Sequence, residues 1–583
     1  MRKANPKALA LQGTPCNMRP GGGIAEIDML LRESGKIGGR FDVIGIHPYR
    51  ATPENPDLDS DAALLLKVLA RHGYVKTPVI WSEMMHWGPY SIPQLDTDFQ
   101  RWGGGRAWYG GFLTYDIAKH EKVSASYYAR AWLVALKYAA RVVGATAGNF
   151  HNNCFMDIMM TPYAAQLVPN TLNDLLGNST FKDDIRFAPY IRTYIFEDAQ
   201  KRPVAAVWGH REQVDEGVSD APVAEADFSG TLEGVFDLMN SPRAFTSGKF
   251  RFPVSGFPVF FRGKAGTLDR FRQAFRGAAI ISGEGISPVD ALVKPAAPDK
   301  LRVTLTNHLG TPFKGTLNGQ KIVIPASGAL QLTLPAGKKI SAEQIGSVQL
   351  PLLLKGENGS SFKFPQKFEA FAAKQVPDNV TIDTIDWSKL PRLPLTRQWK
   401  KPATSGIFQT AWNNKGFFLR AQIKDDKFVH VEYKIPGSRW KNDCLQLFLD
   451  TLGDARGKKY GADENDCAYA IFPNAAGNKG SFFVFRPVDQ QLGLGSQGPR
   501  SQSFMPDVPC KFSRRDGMLT YELFIKAAYM LPVKLREGYC FGIGLFAPDS
   551  SKGDSVNGAL TLAEDGGACS DRPHVWPLLL LVR

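Results

Sequence analysis

Two stretches of the sequence place residues that can do chemistry directly after short β-prone runs. TPVIW, which ends at Trp81, is followed by Glu83, and FDVIGI, which ends at Ile46, is followed by His47 and Tyr49. A carboxylate can attack or stabilise the oxocarbenium-like carbon of a glycosidic bond, histidines can hydrogen-bond sugar hydroxyls, and aromatic rings stack on pyranose rings. These residue types therefore favour a site for glycoside chemistry.

The sequence around Glu83 holds further aromatic and histidine residues for such a site. We predict Glu83 to be catalytic and the following residues to contact the sugar: His47, Tyr49, Trp81, His86, Trp87, Trp102 and Trp108. The alternative is that Glu83 is a surface or capping residue and that the tryptophans of RWGGGRAWYGG fill a local core. Two successive strand ends followed by a long aromatic loop favour the functional interpretation.

The segments that hold these residues alternate between strands and helices. The order is KALALQG, GIAEIDMLLRESG, RFDVIGIHPY, LDSDAALLLKVLARHG and TPVIWSE, and a later strand is predicted near ATAGNFHNN. This βαβα order predicts a parallel sheet covered by helices over residues 1–165. In a (β/α) barrel, the carboxyl ends of the strands form the open face, so both strand ends would point to one site.

The rest of the chain reads as β-rich. Segments with turn residues between them predict a β-sandwich over 185–295 and a small immunoglobulin-like module over 296–360, where Asn-Gly and Ala-Ser-Gly turns separate alternating strands. A proline-containing linker leads into a last β domain over 365–583. The predicted fold class is therefore multidomain, a partial (β/α)8 TIM barrel followed by all-β sandwich domains.

The pair DVIGIHPY and PVIWSE resembles strands six and seven of clan A glycoside hydrolases, retaining TIM-barrel enzymes that include families 39 and 5. The resemblance implies that Glu83 is the nucleophile and that His47 and Tyr49 line the sugar subsite. The acid/base of the clan ends strand four in an Asn-Glu dipeptide, and this sequence contains none. A full barrel takes about 250 residues, so only strands five to eight are expected here.

Two explanations of the missing half-barrel are open. The sequence is an N-terminal truncation of a longer enzyme, which we favour, or a partner supplies the rest. In either case we expect a retaining O-glycoside hydrolase that acts poorly as this fragment. The alternative function is a non-catalytic carbohydrate-binding or surface-adhesion protein that keeps a degenerate barrel.

The last domain carries a second resemblance. LRAQIKDD, then W-x-x-D-x-L-x-L-x-x-D from Trp440 to Asp450, and the closing HVWPLLLLVR are similar to family 9 carbohydrate-binding modules. The resemblance implies that Trp440 and Trp576 clamp a sugar and that Asp425 and Asp426 hold a structural calcium. The alternatives are that the tryptophans are core residues and that two carboxylates are too few for a hard cation.

The composition of the chain limits the classes of partner that we expect. Lys+Arg of 70 against Asp+Glu of 56 gives a net charge of +14, which favours acidic partners, but no basic block or nucleic-acid motif is present, so we expect a poly- or oligosaccharide and no nucleic acid. No apolar run is long enough to span a bilayer. The seven cysteines form no CxxC pair, and one or two disulfides remain open. We expect an extracellular or periplasmic protein without a catalytic cofactor.

Overall fold

The computed structural model describes most of the chain. Besides the isolated positions 11, 18, 38, 402 and 566, the described residues are 23–36, 40–48, 53–54, 58–82, 117–142, 164–188, 190–209, 222–246, 248–282, 287–357, 359–400, 404–425, 427–430, 436–457, 465–488, 501–550, 556–564 and 572–583. They form a multidomain, mostly β-sheet structure, which confirms the coarse prediction.

The N-terminal region combines helices with a parallel sheet. Its described elements are α1 (Ala25–Lys36), β1 (Ile44–Ile46), α2 (Leu58–Arg71), β2 (Val79–Trp81), α3 (Ile117–Lys137), β3 (Arg141–Val142) and α4 (Val168–Leu176). The three strands are parallel in the order β1-β2-β3, and Leu11 forms a parallel bridge to Val43. The predicted strand near 145–153 lies outside the described residues.

Helix α2 is the crossover between β1 and β2, as the apolar spacing of its sequence predicts. Leu58, Leu65 and Leu69 are buried on one face. The helix ends at Arg71, and Gly73 follows with φ of +79°, the left-handed conformation that favours glycine after a helix. The predicted helix stop at Gly73 is thus confirmed.

The next region is a β-sandwich. Its elements are β4 (Thr180–Ile185), β5 (Ile191–Glu197), β6 (Pro203–Gly209), β7 (Val223–Asp227), β8 (Leu232–Phe236), β9 (Pro242–Arg243), β10 (Lys249–Pro253), β11 (Val259–Gly263), α5 (Leu268–Arg276) and β12 (Ala279–Ser282). A six-stranded sheet, β4-β5-β6-β11-β8-β9, packs against β10-β7-β12 and α5. Its other face packs on the N-terminal helices, where Tyr194 and Trp208 belong to the same core cluster as Tyr128 of α3.

The third region has one separate three-stranded sheet and four strands of the large sheet that continues into the last domain. Its strands are β13 (Val289–Ala297), β14 (Lys300–Asn307), β15 (Phe313–Leu317), β16 (Gln320–Ile324), β17 (Ala329–Pro335), β18 (Gly346–Gly356) and β19 (Ser361–Gln375). The separate sheet has the order β13-β14-β17. Asn318 and Gly319 both have positive φ between β15 and β16, which makes the two-residue hairpin that Asn-Gly predicts. Strand β19 continues beyond β18 into the last domain. There it pairs with the final strand of the chain, Leu578–Val582.

The C-terminal domain is a second, larger sandwich. Its strands are β20 (Leu393–Leu395), β21 (Arg397–Lys400), β22 (Ser405–Asn413), β23 (Gly416–Lys424), β24 (Leu445–Asp450), β25 (Asp466–Pro473), β26 (Gly480–Arg486), β27 (Ser503–Phe504), β28 (Cys510–Arg515), β29 (Met518–Lys526), β30 (Cys540–Asp549), β31 (Gly558–Thr561) and β32 (Leu578–Val582). The ladder β28-β29-β23-β22 faces the ladder β27-β26-β25-β24-β30 across the largest core cluster.

The sheet that contains β24, β25 and β30 is buried on both faces. Every residue of these three strands is buried. Leu447, Tyr469 and Ile543 point into the main core, and Phe448 and Phe546 point to the opposite side. We call this opposite side the outer face of the sheet.

Candidate functional site

The carboxyl ends of β1 and β2 lie side by side. Ile46 pairs with Trp81, and the backbone N–H of Ser82 donates to the carbonyl oxygen of Ile46 at 3.1 Å. His47, which is half-buried, and Ser82 therefore leave the sheet at the same edge. The expected meeting of the two strand ends is present in the structure.

The residues predicted for this N-terminal site fall into two groups. His47 and Trp81 are described, and the ring of Trp81 is only 1% exposed within the N-terminal core. Trp81 therefore offers no open ring face to a sugar. The other predicted residues lie outside the described residues: Glu83, Tyr49, His86, Trp87, Trp102 and Trp108.

A buried carboxylate of this region is tied to the following sandwich. Oε2 of Glu54 lies 3.2 Å from a guanidinium nitrogen of Arg130, and the indole N–H of Trp208 donates to Oε1 of Glu54 at 3.0 Å. Both acceptor oxygens are thus used within the fold. Glu54 joins the N-terminal helices to β6, and its paired state argues for a structural role.

A second polar network joins α2 and α3 to the sandwich. Oδ2 of Asp59 accepts from Lys137 at 2.9 Å and from Arg192 at 3.2 Å. Lys137 also donates to Asp184 at 2.8 Å. Although burial opposes the shift, the charges of Arg186 and Lys137 hold the pKa of the Asp184 carboxyl below its usual value. Sequence reasoning missed this network, because none of its residues lies in a motif.

In the C-terminal domain, Trp576 is a core residue. Its side chain is 0% exposed, and its ring lies 5.7 Å from that of Phe448 between centroids. It packs with Phe546 and Ala559 on the outer face of the sheet. With both ring faces covered, Trp576 cannot stack on a sugar in this structure, in contrast to the sequence-based expectation.

Trp440 has a different setting. It lies in a short 3-10 helix, Pro436–Lys441, directly before β24, and is half-buried. The guanidinium of the preceding residue, Arg439, lies 4.9 Å above the ring of Phe504, and Phe504 is 42% exposed. Trp440 and Phe504 are therefore aromatic residues that are accessible near one end of the outer face.

A phenylalanine cluster continues from Phe504 across the outer face. The ring of Phe483 lies 5.0 Å from those of both Phe504 and Phe485, and 5.6 Å from that of Phe472. Phe472 and Phe483 are buried. We call these four residues the phenylalanine cluster; it connects an exposed aromatic ring to the covered part of the sheet.

Arg486, the last residue of β26, adds a charge to this face. It pairs with Ala468 of β25, and since cross-strand partners share a face of the sheet, Arg486 lies on the outer face with Phe448 and Trp576. It is 3% exposed. Its Nε and Nη2 atoms are buried without a hydrogen-bond partner. No sequence motif marked this residue.

Buried carboxylates lie near the Trp440 segment. Oδ2 of Asp443 accepts from the backbone N–H of Val429 at 2.5 Å, and Oδ1 accepts from that of Ser550 at 3.0 Å. Burial, together with the charges of Asp425 and Asp549, raises the pKa of Asp443 to about 7. Three acidic side chains therefore act on one another here.

These carboxylates include one of the two predicted calcium ligands. Asp425 is 5% exposed, and its Oδ1 accepts from the backbone N–H of Lys427 at 2.9 Å; Asp426 lies outside the described residues. Within the described ranges, no group of three or more His, Cys, Asp or Glu side chains is arranged to hold a metal ion. The calcium assignment stays a prediction.

The cysteines of the described C-terminal domain are free thiols, namely Cys444, Cys467, Cys510 and Cys540. Burial raises the pKa of Cys467 and Cys540 to about 12 and that of Cys510 to about 11. A thiol with such a pKa is almost fully protonated at neutral pH and is a poor nucleophile or metal ligand. These cysteines therefore act as small apolar core residues.

One protein family matches part of the chain. Residues 378–486 match the family described as "Carbohydrate family 9 binding domain-like". The matched segment begins shortly before β20, contains Trp440 and Asp443, and ends at Arg486. The C-terminal domain is therefore similar to family 9 carbohydrate-binding domains, as its sequence motifs predict. No curated protein matches the chain significantly.

Several solved structures share local similarity with the chain. A family 9 carbohydrate-binding module from Caldicellulosiruptor kristjanssonii in complex with cellotriose is 12% identical, covers 36% of this chain and 92% of its own, and has a TM-score of 0.28. A β-porphyranase of glycoside hydrolase family 86 from Bacteroides plebeius is 12% identical, covers 53% and 60%, and has a TM-score of 0.22. Among the described residues, no helix is both long and apolar enough to cross a membrane.

Proposed function

We propose that the protein binds a poly- or oligosaccharide through its C-terminal domain. The match of residues 378–486 to family 9 carbohydrate-binding domains carries this proposal. The outer face supports it with exposed or half-buried aromatic rings at Trp440 and Phe504 and with the nearby charge of Arg486. Aromatic faces and a few polar groups are the chemistry that binds pyranose rings.

Trp440 is the residue we propose to stack on the sugar. It is the first residue of the W-x-x-D motif, which precedes β24, and unlike Trp576 it is partly accessible to solvent. The backbone of Trp440 is restrained, because the side-chain amide of Gln446 donates to the backbone carbonyl oxygen of Trp440 at 3.4 Å. A restrained backbone reduces the conformational freedom that is lost when the ring stacks on a sugar.

The binding proposal is tested by calorimetric titration of the full chain with soluble cello- and xylo-oligosaccharides. We expect the Trp440→Ala variant to bind at least about tenfold more weakly, which is the loss of about one stacking contact. Trp132→Ala, which removes a half-buried tryptophan of α3, is the matched control and should bind like the wild type. Equal affinity of Trp440→Ala and the wild type would exclude the stacking role.

A second candidate function is glycoside hydrolysis by the N-terminal region. We propose that β1, β2 and β3 belong to a partial (β/α)8 barrel of a clan A retaining glycosidase, with Glu83 as nucleophile. The supporting observation is the parallel order of these strands, with His47 and Ser82 leaving the sheet at one edge. Functional residues stand at such strand ends in barrel enzymes.

An activated substrate tests the nucleophile without its acid/base partner. Dinitrophenyl glycosides have a leaving group that departs without protonation, so a retaining nucleophile alone can form the glycosyl-enzyme intermediate. We expect slow release of dinitrophenolate by the full chain, loss of release in Glu83→Ala and its recovery on addition of azide. Release that is unchanged by Glu83→Ala excludes the nucleophile, and its absence in the wild type favours a binding protein.

We also propose a structural calcium beside Asp425 and Asp426 and a location outside the cytoplasm, where polysaccharides are found. The charges of Asp425 and Asp549 help burial to raise the pKa of Asp443. This repulsion supports the cation, since a bound cation would offset it. Calcium should raise the melting temperature of the wild type and not that of Asp425→Asn. Equal shifts in both proteins would remove Asp425 from the ligand set.

A further inference from the structure

Arg486 differs from the other buried arginines of the described chain. Arg130 lies 3.2 Å from a carboxylate oxygen of Glu54, and Arg192 lies 3.2 Å from one of Asp59. Arg486 is just as deeply buried, at 3% exposure, yet two of its guanidinium nitrogens have no hydrogen-bond partner. Arg130 and Arg192 thus each lie beside a carboxylate, whereas Arg486 forms no ion pair with a described residue.

A buried guanidinium without a counter-charge is unfavourable. Its hydration is lost on folding, and nothing in the protein replaces the lost hydrogen bonds or balances the charge. Unlike a lysine or histidine, an arginine cannot lose its proton to relieve this cost. A protein keeps such a group most readily where an external anion completes the site.

Two acidic residues of the neighbouring strands form no ion pair with Arg486. Asp450 of β24 accepts from the backbone N–H groups of Gly453 and Ala455, so its oxygens are held by its own turn. Asp466, which pairs with Asp450 across the ladder, forms no ion pair with Arg486 in the described structure. Among the described residues, Arg486 therefore forms no hydrogen bond through Nε or Nη2 and no ion pair with a carboxylate.

The surroundings of Arg486 fit a sugar ring that carries an anion. Phe485 precedes it, and the phenylalanine cluster leads from there to Phe504, which is 42% exposed at the β27 edge. Aromatic rings stack on the apolar face of a pyranose, and a guanidinium fork binds a carboxylate or sulfate with two parallel hydrogen bonds. A neutral sugar leaves the charge unbalanced.

We propose that Arg486 binds the anionic substituent, carboxylate or sulfate, of an acidic sugar held on the outer face of the C-terminal domain. This inference rests on the proposed carbohydrate-binding function and deepens it by naming the class of glycan. Arg486 sets the preference for a charged sugar, and Trp440 and Phe504 supply contacts that a neutral sugar can also use. The net charge of +14 favours the approach of such a glycan.

The test compares matched charged and neutral sugars. The full chain is titrated at low ionic strength with trigalacturonate, with its carboxyl-reduced neutral counterpart, and with a sulfated and an unsulfated galactan oligosaccharide. We expect the wild type to prefer at least one charged sugar to its neutral counterpart by about tenfold or more, a size typical of a charge-assisted pair. The pair that shows the preference identifies the anion as carboxylate or sulfate.

Two variants assign the preference to one side chain. Arg486→Met keeps the length of the side chain without its charge and should lose the preference for the charged sugar. Arg515→Met removes the same charge from a side chain that is 91% exposed and should keep the preference. A preference that survives in Arg486→Met, or a wild type that binds both sugars equally, overturns the inference. Failure of the wild type to bind any sugar instead overturns the proposed function.

Discussion

Replacing Asp443 by asparagine should make the stability of the C-terminal domain less dependent on pH. Burial is the main cause that raises the pKa of Asp443 from 3.8 to about 7 in the folded protein. The unfolded chain releases this proton above about pH 4, whereas the folded protein keeps it up to about pH 7. The carboxyl group therefore contributes its full stability below pH 4 and loses it as the pH rises to 7.

The size of this loss follows from the shift. A difference of about three pH units corresponds to ~4 kcal/mol, since each unit is worth ~1.4 kcal/mol. Asparagine removes that pH dependence, but its amide NH2 group then faces one of two N–H donors, those of Val429 and Ser550. We expect this mismatch to cost about 1–3 kcal/mol at every pH. Between pH 5 and pH 8 the wild type loses about 2–3 kcal/mol of this contribution and Asp443→Asn loses none of it. The variant should therefore gain about 2–3 kcal/mol relative to the wild type over this range and be the more stable protein at pH 8.

Differential scanning calorimetry of the full chain in EDTA, between pH 5 and pH 8, measures this difference. The neighbouring Cys444 and Tyr521 stay neutral over the range, because burial raises the pKa of both groups. Asp516→Asn, at a side chain that is 90% exposed, is the control and should change little with pH. A gap between Asp443→Asn and the wild type that is constant from pH 5 to pH 8 would refute the reasoning.

Three further predictions concern buried side chains. Arg486→Met should raise the free energy of unfolding by about 1–4 kcal/mol in urea titrations, because it removes an unbalanced buried charge, and a loss of stability would contradict this. Arg192→Met should lower the free energy of unfolding by about 3–5 kcal/mol, since it leaves Asp59 with fewer partners. Faster limited proteolysis between α4 and β5 should accompany this loss. Unchanged cleavage would show that Arg192 does not hold the β-sandwich to the N-terminal helices. Trp576→Ala should cost about 3–5 kcal/mol by leaving a cavity beside Phe448, and a loss below about 1 kcal/mol would show that the ring is not part of the core.

Local patterns predicted the elements that they directly encode. The alternation of short apolar runs and an amphipathic helix predicted the parallel pair β1 and β2 with α2 between them. Gly73 ends that helix, and Asn318 with Gly319 closes a hairpin, because each needs a positive φ that few residues adopt. These features depend on a few neighbouring residues, so one sequence is enough to predict them.

The two tryptophans of the C-terminal domain show what such patterns do not determine. Trp440 and Trp576 were both predicted to contact a sugar, but Trp576 is fully buried and Trp440 is half-buried. The strands that follow them, β24 and β32, are apolar runs in the sequence. Such a run does not distinguish a sheet with one covered face from a sheet with two. Which side of the sheet is open depends on what packs on it from far along the chain.

The unpaired state of Arg486 is hidden from the sequence for the same reason. An arginine at the end of a β-strand usually lies at the surface, and nothing in GSFFVFR marks this one as buried. Its burial follows from the pairing of β26 with β25 and from the register shift near Ala468, which turns the side chain to the outer face. A buried charge becomes evident only when the partners of every neighbouring strand are known.

Strand β19 joins the third region to the C-terminal domain. Its first part pairs with β18, and its last part pairs in parallel with β32 from Ala370 to Lys374. The indole N–H of Trp412 stabilises this junction, because it donates to the carbonyl oxygens of Ala373 and Val582 at 3.0 and 3.1 Å.

Because β19 belongs to two cores, no flexible linker separates the third region from the C-terminal domain. A displacement of one region is therefore passed to the other, and the orientation of the sugar-binding face is coupled to the preceding β module. The predicted boundary at 360–365 falls within this continuous element, so the C-terminal domain needs residues before 376 to close its own sheet.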